Sequence, residues 1–75
     1  MNVSIGINEV LFMEMRLFRQ FRERFGQSAS KTNELWNAYG IWNYIEDCYN
    51  TLHVSGDEYI LSDITEILRS KGAFI

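Results

Sequence analysis

Ile60, Leu61, Ile64, Ile67 and Leu68 recur at steps of one, three, three and one, the spacing of one face of an α-helix. This is the cleanest amphipathic stripe in the chain. It makes the last long element a helix that must bury one side. Ser55 precedes it, with Glu58 three residues on, which is the spacing of a capping box. Asp57 is expected to accept from first-turn amides. Lys71 and Gly72 close the helix, and Gly72 suits a left-handed position just past a helix end.

The preceding stretch repeats the pattern. Asn43 and Glu46 have the same capping spacing, with Asn in place of Ser or Thr. Ile41, Ile45, Cys48 and Leu52 step by four, three and four, so a third helix is expected over Tyr44–His53. The link to the last helix is so short that the two must be close neighbours in space.

Toward the N-terminus, Asn8 is the expected N-cap of a first helix reaching Phe25. Leu11, Met15, Phe18, Phe21 and Phe25 form its stripe, and Phe12, Met13 and Leu17 widen it. That width predicts burial on more than one side. Gly26 stops the helix. A polar link follows, with Ser28 or Ser30 as the next cap. A second helix then runs to about Tyr39 and ends at Gly40. Met1–Gly6 is weakly patterned and is expected to be loose or extended. Ala73–Ile75 is an apolar tail. There is no proline and no internal repeat. The expectation is a single domain over residues 1–75, a compact four-helix, all-α fold with short connections.

A chain of 75 residues buries only about 60–65% of its unfolded surface. Yet 47% of it is hydrophobic and 15% aromatic. Some aromatic surface should therefore remain for a partner or a second copy. The net charge of −3 argues against nucleic acid. Residues 1–31 carry net +2 and residues 32–75 carry net −5. The acidic half can face a basic partner, or the two halves can attract each other. One cysteine excludes an internal disulfide framework, no signal-peptide pattern is visible, and no apolar run approaches a membrane span. A reduced, cytoplasmic location is expected.

His53 with Asp47, Asp57 and Asp63 could be read as a metal or acid–base cluster. A zinc site wants several His or Cys ligands, and the chain has one of each. Cap and helix-dipole roles are the expected ones, so neither metal nor cofactor is expected. Cys48 falls on the apolar stripe and reads as a small buried hydrophobe. Arg16, Arg19 and Arg22 share an outer face and complement a helix C-terminus; a phosphate-binding strip is the alternative. Trp36, Tyr39, Trp42, Tyr44, Tyr49 and Tyr59 are core or core-edge residues, with one or two expected on the surface. A stacking platform for nucleic acid would need basic residues among them, and the nearby charges are acidic. A helix-turn-helix around Gly40 would present Glu46 and Asp47 to phosphate and no Lys or Arg.

The run Asn43-Tyr44-Ile45, Cys48-Tyr49, Leu52-His53, Gly56-Asp57, Tyr59-Ile60, Asp63-Ile64 resembles a small bacterial domain-of-unknown-function family. Its members read D-Y-I…Y-D-x-L-H-x-x-G-D-x-Y-x-x-x-D-I. The likeness spans roughly residues 8–72. Asn43 and Asn50 stand where that family favours Asp, and both keep a short polar side chain. The family brings no activity with it. Its members are often encoded beside, or joined to, domains resembling ADP-ribosyltransferase-like toxins. The resemblance therefore implies an accessory or antitoxin-like role.

The sequence reads as a non-enzymatic protein-interaction module. Its expected contact residues are Trp42, Asp47, Tyr49, Glu58 and Tyr59, because Trp and Tyr dominate binding hot spots and the flanking acids would meet a basic surface. A self-associating domain is the second reading, and a DNA-binding regulator the third.

Overall fold

The computed structural model describes residues 7–75, so the expectation for residues 1–6 lies outside the described residues. Among the described residues five helices follow one another: α1 (Ile7–Phe25), α2 (Ala29–Ala38), α3 (Ile41–Asp47), α4 (Tyr49–Leu52) and α5 (Asp57–Ser70). The all-α class is the one the periodicity predicts. The count differs because the expected third helix is two. It breaks at Cys48, whose φ of −104° and ψ of 11° leave the helical region. The Cys48 N–H still donates to the Tyr44 carbonyl at 3.0 Å, and its own carbonyl accepts from Leu52 N–H at 2.8 Å. The chain pivots there, Thr51 N–H turning to the Cys48 carbonyl at 3.0 Å, and Ile41, Ile45 and Leu52 all stay in the core.

The helix starts correct several expectations. Ser28 does cap α2, its side chain accepting from Lys31 N–H at 3.1 Å. Asn43 lies inside α3, which begins after Gly40 at φ 72°; no side chain caps it. Gly56, not Ser55, precedes α5, and Ser55 Oγ turns back to the Thr51 carbonyl. Asn8 lies within α1. Helix ends follow the glycines more closely. At Gly72 (φ 91°) the N–H donates to Arg69 O and that of Ala73 to Leu68 O, a Schellman closure that only a left-handed residue permits without strain.

Around Trp36, which has no exposed surface, the aromatic side chains meet edge to face. Phe18 is 5.4 Å away at 89°, Phe21 5.6 Å at 74° and Trp42 4.9 Å at 66°. Such crossings place positive ring edges on negative faces. Ile60, Leu61, Ile64 and Leu68 of α5 close the other side, as their stripe predicts. In the tail, Ala73 and Ile75 pack partly against this core while Phe74 is fully exposed.

The first helix departs from its expected stripe. Its buried line is Met13, Leu17 and Phe21. Phe18 and Phe25 are half-buried, and Leu11, Phe12 and Met15 face out. Apolar residues take up a wide arc of the helix, but α2, α3 and α5 pack against it without covering the side that carries Leu11, Phe12 and Met15. Among the described residues no helix is long and apolar enough to cross a membrane.

Candidate functional site

Three surfaces carry side chains that the core does not explain. The first is the outward side of α1. Phe12 is 72% exposed, Leu11 50% and Met15 48%, which makes one contiguous apolar strip. Phe12, Met15, Arg16 and Arg19 surround a shallow dip of about 360 Å³.

The second is a polar clamp between α1 and the start of α5. Arg16 donates to Asp57 from Nε at 2.8 Å and from Nη2 at 3.0 Å, and Gln20 Nε2 adds a third bond at 3.2 Å. The Arg16 hydrogen bonds hold the Asp57 carboxyl below its usual range, and Asp57 in turn raises Arg16. Asp57 was expected to bond first-turn amides; these side-chain bonds come instead from a helix 41 residues earlier. Beside the clamp lies Tyr49, with His53 packed edge-on against it at 5.2 Å.

The third is an acidic shoulder where α3 meets α5. The Tyr44 hydroxyl donates to Asp63, and burial followed by that bond pushes the phenol well above its ordinary pKa. Tyr59 stands next to Tyr44 and is 62% exposed. Asp47 lies one turn beyond Tyr44 on the same side of α3 and is exposed, and Glu66 lies one turn beyond Asp63.

The five residues singled out in the sequence are not gathered in one place. Tyr59 and Asp47 share the shoulder. Glu58 is solvent-facing but bound by Arg24 at 2.7 Å across the α1–α5 seam. Tyr49 belongs beside the clamp. Trp42 is half-buried, stacked on Phe18 at 5.2 Å, with its indole N–H donating to Asn33 at 3.2 Å. The arginine strip is likewise divided. Arg16 holds Asp57, Arg22 donates to the Gln27 carbonyl past the end of α1, and Arg19 only approaches Glu23 at 3.8 Å.

Glu14 escaped the sequence reading. It is 6% exposed, and its Oε2 is buried without a hydrogen-bond partner. Burial, with Glu46 of α3 close enough to share a proton and to repel, raises its pKa to about 7. One signal existed: Glu14, Leu17 and Phe21 step by three and four, so Glu14 sits on the buried line. A carboxylate there looks like a surface residue until its neighbours are known.

The open groove between α1 and α5 is lined by Arg24 and Arg69 but also by Glu66, and Arg24 is already paired with Glu58. It offers no cradle for an anion. Among the described residues no group of three or more His, Cys, Asp or Glu could hold a metal ion. His53 and Cys48 accordingly stand apart from any ligand set. Cys48 is half-buried at the helix break, less covered than the stripe predicted.

These features define a small all-α protein with three candidate surfaces and one buried carboxyl, Glu14. Residues 12–71 match the model of a family described as a protein of unknown function (DUF3791), and the chain belongs to that family. No curated protein and no solved structure gave a match.

Proposed function

We propose that this chain is a non-enzymatic protein-interaction module whose acidic shoulder binds a basic surface on another protein. The observation that carries the reading is Tyr59, a large aromatic turned outward beside Tyr44, with Asp63 bound to Tyr44 and with Asp47 and Glu66 one turn further along their helices. Exposed tyrosines anchor interfaces because they bury much area while losing few rotamers. The surrounding carboxylates steer a basic partner and repel nucleic acid. The partner in this reading is a toxin-like enzyme, which makes the chain its accessory or antitoxin. That finer step rests on the family resemblance and on no residue of the shoulder.

The test is affinity capture of the tagged chain from its own cell, with partners identified by mass spectrometry. Tyr59→Ala and Asp47→Lys are run beside the parent sequence. A toxin-like enzyme recovered by the parent and lost by both variants supports the full reading. Recovery of a different basic protein with the same dependence keeps the interaction and rejects the toxin. A partner set unchanged by both variants rejects the shoulder as the contact.

A further inference from the structure

The outward strip of α1 is separate from the shoulder and has a geometry of its own. Phe12, Met15, Arg16 and Arg19 are related as i, i+3, i+4 and i+7. Four residues in that relation form the hole that receives a knob from a facing helix. The same residues enclose the dip of about 360 Å³. Phe12 is itself the most exposed large hydrophobic side chain of the helix, at 72%. One face thus carries both a knob and the hole for it.

We infer that α1 pairs antiparallel with α1 of a second copy of this chain, Phe12 of each entering the hole of the other. Charge on the same helix supports this occupant over an unrelated one. Seating Phe12 over the centre of the hole fixes the register and brings Glu9 level with Phe18 and Arg19 of the other copy. Glu9 is exposed, and the nearest described carboxylate to Arg19 is Glu23 at 3.8 Å. Two-fold symmetry places the Glu9–Arg19 pair at both ends of the contact. Along the opposite flank Leu11 falls level with Arg16 and Leu17 of the other copy, within half a turn of its Met15, which joins the two apolar strips. Arg16 stays on its own Asp57, so its guanidinium adds no unpaired charge to the seam.

The contact is small. From Glu9 to Arg19 is about 15 Å of helix at 1.5 Å per residue. A surface of that length falls below the ~1,200 Å² of stable complexes, so the dimer is weak.

Sedimentation equilibrium on the full chain, from a few micromolar to about 1 mM, tests this. The parent should shift from monomer to dimer across that range. Phe12→Asp should abolish the shift while far-ultraviolet circular dichroism stays helical, since Phe12 contributes little to the core. Glu9→Arg and Arg19→Glu should each weaken dimerisation about tenfold, and the double reversal should restore it. A parent that stays monomeric at 1 mM overturns the inference. So does a double reversal as weak as the single ones, which would mean a different register or face. Neither result touches the shoulder, whose own test uses Tyr59 and Asp47.

Discussion

Arg16 and Asp57 meet in a two-pronged ion pair, Nε to Oδ2 at 2.8 Å and Nη2 to Oδ1 at 3.0 Å, across 41 residues of chain. The pair fastens the middle of α1 to the first residue of α5. Two parallel charge-assisted bonds fix orientation as well as distance, which a single contact does not. Asp57 also lies at the positive end of the α5 dipole, so one carboxylate serves both.

Breaking the pair should be felt in stability and in its acid limit. Arg16→Ala or Asp57→Asn should cost about 0.5–1.5 kcal/mol, held down by solvent screening because both side chains are partly exposed. The Asp57 pKa is lowered in the folded state, so its contribution is present above the unfolded value and disappears as pH falls through the acidic range. Urea unfolding at pH 7 and pH 3 should therefore show the full loss at pH 7 and a smaller one at pH 3. An equal loss at both pH values would mean the effect is packing and not charge.

Glu14 should act with the opposite sign. Its folded pKa is raised from 4.5 to about 7, so the folded state binds the proton more tightly than the unfolded state. Stability from this group is fully present below pH 4.5 and is lost as pH rises through 7. Glu14→Gln keeps the shape and removes the charge. At pH 8 it should stabilise by about 1–2 kcal/mol, and at pH 5 by much less. Thermal midpoints at the two pH values measure the difference. A Glu14→Gln midpoint at or below the parent's at pH 8 would show that the carboxylate is comfortably solvated there.

The caps divide by position. Ser28→Ala removes the acceptor for Lys31 N–H and should cost about 1 kcal/mol. Asn43→Ala replaces an exposed residue inside α3 and should change stability by less than about 0.5 kcal/mol, in the stabilising direction. Paired denaturant titrations decide it. A loss near 1 kcal/mol at Asn43 would restore the capping box that the Asn43–Glu46 spacing suggests.

What the sequence determined by itself is local. The stripes of α5 and of the α3–α4 stretch are read correctly because a helix maps sequence spacing onto a face within a few residues. Helix ends at Gly26, Gly40 and Gly72 are legible for the same reason: all three adopt positive φ, which an L side chain resists. The candidate shoulder was partly legible, since Tyr59 and Asp47 were singled out. Their union with Tyr44 and Asp63 required α3 to lie against α5. Only the tertiary structure decided which part of the wide apolar arc of α1 is buried, because periodicity marks the arc and not the stretch of it that other helices cover. It also decided the partner of Asp57 and the burial of Glu14. Each depends on residues distant in the chain, and sequence spacing carries no information about which distant surfaces exclude water from one another.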